Sequence, residues 1–124
     1  MSEIKTHYGK QEIGTWGETE AEKYFTKLGL KLIQKNYRTR FGEIDLIMQD
    51  GDEYVFVEVK TRTTPSFGFP EEAVNDEKID HLTEAAEKYL ETHPEIEEWR
   101  MDVLAIIGKP GMTNPQIEWY KNVE

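Results

Sequence analysis

Two acids and a lysine stand close together in a stretch that reads as a β-hairpin: Asp45 in the segment Gly42 to Met48, Glu58 and Lys60 in the segment Tyr54 to Lys60. Both segments alternate apolar and polar residues, and the intervening Gln49-Asp50-Gly51-Asp52-Glu53 carries the Asp-Gly pair that favours a tight reversal. Successive side chains point to opposite faces, so Ile44, Leu46 and Met48 share one side of the first strand, and Val55, Val57 and Val59 share one side of the second. Slipping one strand by a residue would turn its apolar set to the wrong side. The matching register pairs Ile44 with Val59, Leu46 with Val57 and Met48 with Val55, which sets Asp45 opposite Glu58 and Glu43 opposite Lys60. Opposed like charges, their Cβ atoms about 4.5–5.5 Å apart, destabilise a sheet unless something positive lies between them. A divalent cation answers that need: Mg2+ prefers carboxylate oxygen, usually takes one or two protein carboxylates, and leaves positions for water and a substrate phosphate. The plainer reading is a solvated sheet face on which such charges are ordinary. Against it, Ile47 and Phe56 lie on the same face, so this side is expected to meet a helix, where charges need a partner or a metal.

The elements that would position these groups follow from periodicity. Ala21, Tyr24, Phe25 and Leu28 fall on one helical face, which predicts a helix over Thr15 to Leu28 with Gly29 as its stop. Leu30 to Tyr37 reads as a first strand with poor alternation. Asp76 to Leu90 is an amphipathic helix with Ile79, Leu82, Ala86, Tyr89 and Leu90 inward and acids outward, ended by His93-Pro94. Met101 to Ile107 is an apolar strand before Gly108, Pro110 and Gly111, and Gln116 to Tyr120 a short last strand. The order αβββαββ indicates an α/β sandwich on a mixed sheet. Residues 1–13 are expected to form a flexible N-terminal arm, and 14–124 a single domain.

Composition bounds the function. The chain has 124 residues, within the usual size of one domain, and no Cys, which excludes disulfides and thiolate zinc sites. No apolar run approaches a membrane span and Met1 to Gly14 has no signal-peptide stretch, so a soluble cytoplasmic protein is expected. Fifteen Lys and Arg face 25 Asp and Glu, a net charge of −10 that argues at face value against nucleic acid. The acidity is local, however. Residues 71–102 hold twelve acids and three bases, whereas 31–62, which contain Arg38, Arg40, Lys60 and Arg62, are neutral. The field at a groove, not the net charge, steers a phosphate. An acidic helix lining that groove would count against a nuclease.

Three motifs in order, Gly14-Thr-Trp-Gly17-Glu18-Thr-Glu-Ala21, Asn36-Tyr37-Arg38-Thr39-Arg40-Phe41-Gly42-Glu43-Ile44-Asp45-Leu46-Ile47 and Val55-Phe56-Val57-Glu58-Val59-Lys60-Thr61-Arg62, resemble the bacterial YraN family, also known as UPF0102. Phe67-Gly68-Phe-Pro70-Glu-Glu-Ala-Val74, Lys78 and Arg100-Met101-Asp102-Val103 continue the likeness. That family is similar to Holliday-junction resolvases and other PD-(D/E)xK nucleases. The resemblance implies a restriction-endonuclease-like α/β/α core with a central mixed β-sheet, Mg2+ (or Mn2+) held by Asp45, Glu58 and the Val59 carbonyl, Lys60 as catalytic lysine, and Glu18 as a further acid from the first helix. Asp45 is preceded by Ile44 instead of the Pro of the motif's name, a departure common in the superfamily. It further implies a metal-dependent endonuclease hydrolysing branched or single-stranded DNA in repair, recombination or uptake, working as a homodimer or with a DNA-processing protein. The competing class is a catalytically weak or inactive nuclease-fold module that binds DNA or a protein partner.

Other residues divide less cleanly. Glu43 stands either behind the metal-binding carboxylates or as a cross-strand partner of Lys60. Arg38, Arg40, Arg62 and Lys78 are candidate contacts to DNA phosphates, the alternative being solvated or locally paired charges. Asp102, just after Arg100, reads as half of a structural ion pair; His7, His81 and His93 read as surface residues; Trp16 is expected to pack under the helix start; and Phe67 to Pro70 as a loop beside the groove.

Overall fold

In the computed structural model of the protein, residues 7–64 and 76–123 are described. Helix α1 (Lys10–Lys27) leads into β1 (Lys31–Arg38), β2 (Glu43–Asp50) and β3 (Glu53–Arg62), followed by helix α2 (Asp76–Glu91), β4 (Glu98–Ile107) and β5 (Gln116–Tyr120). The strands form one sheet in the order β1-β2-β3-β4-β5, parallel only between β3 and β4. A parallel pair needs a crossover, and α2 lies in it. The αβββαββ order and mixed sheet match the sequence reading.

The two faces carry separate cores. Under α1, Ala21, Phe25 and Leu30 pack with Leu46, Met48, Val55, Val57, Leu104 and Ile106. Under α2, Leu82, Ala85, Ala86 and Tyr89 pack with Ile44, Ile47, Phe56 and Met101. Phe56 and Ile47 therefore do meet a helix. The exposed residues of α2 include Glu77, Asp80, Glu84, Glu87 and Glu91, so these acids face away from the sheet. Among the described residues no helix is long and apolar enough to cross a membrane.

Several boundaries differ from expectation for local reasons. Helix α1 begins at Lys10, not Thr15, so residues 10–13 of the expected arm are helical; the Gly9 N–H donates to the Glu12 carboxylate at 3.2 Å, which secures that early start. Strand β1 alternates poorly because its register against β2 shifts between Leu32 and Gln34, leaving Ile33 as the extra residue of a bulge. Strand β4 starts three residues before Met101 because it pairs with β3 along its whole length, from Glu53 with Glu98 to Arg62 with Ile107.

The hairpin carries the main correction. Its register is as expected from Asp50 with Glu53 to Leu46 with Val57, but recorded pairing stops there, so Ile44 does not pair with Val59, nor Asp45 with Glu58, nor Glu43 with Lys60. Ile44 packs with Ile47 and Phe56 on the α2 side and not with Leu46. The strand turns over at Asp45. Facing Asp45 against Glu58 in a regular ladder would oppose two carboxylates, and the parting of the strands avoids it.

Candidate active site

The parted strands create the site. Asp45 Oδ2 accepts the Val59 main-chain N–H at 2.8 Å, which satisfies a donor left by the interrupted ladder. Burial pushes the Asp45 carboxyl up to about 7, the Val59 bond pulls it part of the way back, and the charges of Glu18, Glu58 and Glu43 push it up further. Burial also raises Glu58, against the lowering charges of Lys78 and His81. Lys60, only 8% exposed, sets Nζ 3.4 Å from Glu58 Oε1. The observed partner of Lys60 is therefore Glu58, and Glu43 instead pairs across β1 with Arg38, at 3.5 Å.

Two glycines let the helices close on this gap. A Cβ on Gly17 would lie 1.9 Å from Thr61 Oγ1, so only glycine lets α1 cross β3 at this depth, and the next residue, Glu18, lines the same groove as Lys60. A Cβ on Gly42 would lie 2.9 Å from the His81 carbonyl oxygen, and this close approach of the β1–β2 turn to α2 draws the Lys78–His81 end of the helix toward Glu58. Thr39 closes that turn: its N–H donates to the Gly42 carbonyl at 2.8 Å and its hydroxyl accepts from the Phe41 and Gly42 N–H groups.

Asn36 ties Glu18 to Glu43. Its Nδ2 donates to Glu18 Oε1 and to Glu43 Oε1, each at 3.0 Å. The neighbouring pairs Lys35 with Leu46 and Tyr37 with Ile44 bracket Asn36 opposite Asp45. Its φ of +51° is a conformation that Asn tolerates better than most side chains.

An open groove of about 570 Å³ is lined by Lys10, Ile13, Gly14 and Glu18 of α1 and by Val59, Lys60, Thr61, Arg62 and Thr63 at the end of β3. Among the described residues no three His, Asp or Glu side chains gather closely enough to share an ion. Two carboxylates and a main-chain carbonyl are nevertheless an ordinary protein share of a Mg2+ shell. Burial is the main cause of the raised Asp45 carboxyl, and the neighbouring acids that add to it make a negative potential a cation would relieve, so the all-oxygen set of Asp45, Glu58 and Val59 fits a hard divalent ion, with Glu18 held by Asn36 nearby.

The other sequence-named residues separate. Arg38 is 76% exposed and paired with Glu43. Arg40 stacks its guanidinium over Phe41, 5.3 Å from the ring centroid. Arg62 lines the groove and donates from Nη1 to the Thr61 carbonyl at 3.0 Å. Lys78 acts on Glu58. Trp16 packs on the α1 core, as expected, and Phe67 to Pro70 lie outside the described residues. Asp102 is fully buried and structural: it accepts from Arg100 Nε, from Trp119 Nε1 at 2.8 Å and from the Asn122 N–H at 2.9 Å. Sequence reasoning missed Asn36 and His81. The available signal for His81 was its spacing from Lys78, since residues three apart share a helix face.

Together, a helix-flanked mixed sheet and an acid pair with a buried lysine at a strand split define an α/β protein with a cluster of charged groups set into its sheet. The sequence model described as "Uncharacterised protein family UPF0102" matches residues 17–106. A UPF0102 protein of Syntrophomonas wolfei is 45% identical over 102 residues, covering 82% of this chain and 89% of the relative. One from Herminiimonas arsenicoxydans is 41% identical over 113 residues, covering 91% and 86%, and one from Nitrosomonas eutropha 43% identical over 109, covering 88% and 90%. The chain belongs to the UPF0102 family.

Proposed function

We propose that the protein is a metal-dependent endonuclease that hydrolyses DNA phosphodiester bonds in the cytoplasm, in repair, recombination or uptake. The observation that carries this reading is the Asp45 carboxylate set into the split between β2 and β3, with Glu58 and the buried Lys60 beside it. Asp45, Glu58 and the Val59 carbonyl would hold Mg2+ or Mn2+, with Glu18 in reserve. When bound, such an ion polarises a phosphoryl oxygen and lowers the pKa of a coordinated water. The protein's own part is positional. Val59 fixes the Asp45 carboxylate through its N–H, and Glu58 fixes the Lys60 ammonium. From a largely dry position Lys60 would offer N–H donors to an attacking water and to the charge developing on phosphate, where a preorganised donor counts for more than in bulk water. The outward acids of α2 leave the groove to Lys10, Lys60 and Arg62, with Glu18 as the one acid in its lining among the described residues.

The test is cleavage of end-labelled branched, single-stranded and duplex DNA with Mg2+ or Mn2+. Cleavage is expected with either ion and is expected to vanish in Asp45→Asn and Lys60→Ala. Activity that survives either substitution would refute the site.

A further inference from the structure

The groove beside Lys60 does not end there. It shares Ile13 and Thr63 with a second hollow of about 380 Å³, lined also by Tyr8, Lys109 and Met112. Tyr8 is shared in turn with a third, of about 520 Å³, that reaches Trp16 and Pro110. The three hollows adjoin one another through these shared residues, as a trough along the first turns of α1. Its first two hollows differ in charge from the rest of the molecule, whereas among the described residues the third is lined by the acid Glu12 and by no cation. In a chain of net charge −10, the first two hollows are lined by Lys10, Lys60, Arg62 and Lys109 against the single acid Glu18, among the described residues. The same hollows are also lined by Tyr8, Ile13 and Met112.

We propose that this trough binds an unpaired nucleic-acid strand, its phosphates on Lys10, Arg62 and Lys109 and a base against Tyr8. The inference rests on the phosphodiester reading of the neighbouring site, and it names the substrate form which that site receives. Cations alone would serve duplex and single strand alike, because both present phosphates. The aromatic and apolar groups in the same lining decide between them. In a duplex the base faces are stacked on each other and closed to protein, whereas an unpaired strand offers each base's π-face to a side chain. The strand therefore runs from the scissile phosphate at Lys60 along α1, and double-stranded parts of the substrate stay outside the trough.

Fluorescence anisotropy of the full-length protein with labelled oligothymidylate and with a blunt duplex, in EDTA so that nothing is cut, tests this. Lys10→Gln and Lys109→Gln are each expected to weaken single-strand binding about fivefold at 0.1 M salt and to lower the slope of log K against log salt by about 0.7, the value of one phosphate contact on a single strand. Duplex binding should not change. Tyr8→Ala is expected to cost about tenfold on the single strand, and Tyr8→Phe little, since stacking needs only the ring. Thermal midpoints equal to the parent's establish that each variant is folded. Unchanged single-strand affinity in the Lys10→Gln/Lys109→Gln double variant overturns the proposal, and so does equal loss on duplex and single strand. The nuclease reading fails on a different result, absence of metal-dependent cleavage by the unmodified protein. The trough would then stand alone as a strand-binding surface if its lysine dependence persisted.

Discussion

The main-chain N–H of Val59 donates to Asp45 Oδ2 at 2.8 Å across the point where β2 and β3 stop pairing. One short bond replaces ladder pairing and holds a half-buried carboxylate among three others, with direct consequences for how the protein responds to pH.

Asp45 has an ordinary value of 3.8 and is raised to about 7 in the fold. Between those values the native state holds the proton that the unfolded chain has lost, so this group makes stability fall as pH rises from about 4 to 7, with the full penalty above 7. Glu58, also raised, acts in the same direction. In metal-free buffer, urea unfolding is expected to show a protein less stable at pH 8 than at pH 5, by on the order of a few kcal/mol. Asp45→Asn keeps an oxygen for the Val59 N–H and removes the charge, so it should stabilise the protein at pH 8 and flatten most of the dependence. Mn2+ should raise the urea midpoint at pH 8 more than at pH 5, because the ion competes with the proton. A parent protein equally stable at both pH values would contradict the burial of Asp45 and Glu58 beside other acids.

The close approach of α1 to β3 makes Gly17 a second point of leverage. Gly17→Ala must push the helix away from Thr61, and overpacking of this kind costs about 1–3 kcal/mol. Thr61→Ala in the same chain removes the 1.9 Å contact but leaves the Thr61 Cβ at 3.0 Å, so partial recovery is expected. A double-mutant cycle by urea denaturation should therefore give a favourable coupling between the two substitutions. Additive effects would show that the helix does not rest on Thr61.

How far the sequence exposed this arrangement depends on which interaction governs each residue. The hairpin from Leu46 to Val57 was legible because alternation and an Asp-Gly turn both depend on near neighbours, and the two agree. The split at Asp45 was not. Alternation assumes a regular ladder, whereas repulsion between carboxylates and a competing main-chain donor govern the chain there, and they turn Ile44 toward α2. The early start of β4 came from pairing with β3, which recruits Glu98, Trp99 and Arg100, a stretch that no apolar run announces. Asn36 and His81 stayed hidden for a related reason: each is a single polar residue whose importance comes from packing between distant elements. The family motifs marked the glycines, but the reason for Gly17 and Gly42 lies in the helices they admit.

Asn36 separates backbone from side chain by substitution. At φ +51°, Asn36→Gly removes backbone strain together with the amide, whereas Asn36→Ala removes the amide and keeps an unfavourable backbone. The glycine variant should be close to the parent in stability, and the alanine variant lower by about 1–2 kcal/mol. Both should release Glu18 and Glu43 from their shared donor and lose cleavage to a similar extent. Loss of activity that instead follows stability, with the glycine variant fully active, would show that the amide positions nothing.

Asp102 offers a control remote in chemistry from the proposed site. It is fully buried, and it binds Arg100, the Trp119 indole and the Asn122 main chain, which also holds β5 and the residues after it on β4. Arg100 in turn reaches Glu53 and, at 3.5 Å, Asp50 on the hairpin turn, so one cation links the turn to the last two strands. Removing one member of a buried ion pair leaves the other charge without its partner, at a cost of about 3–5 kcal/mol. Asp102→Ala is therefore expected to lower the urea midpoint more than any substitution above, while its folded fraction keeps the parent's Mn2+ affinity. Isothermal titration below the unfolding transition measures that affinity directly. A large loss of Mn2+ binding there would mean that the ion sits with Asp102 and not in the gap between β2 and β3.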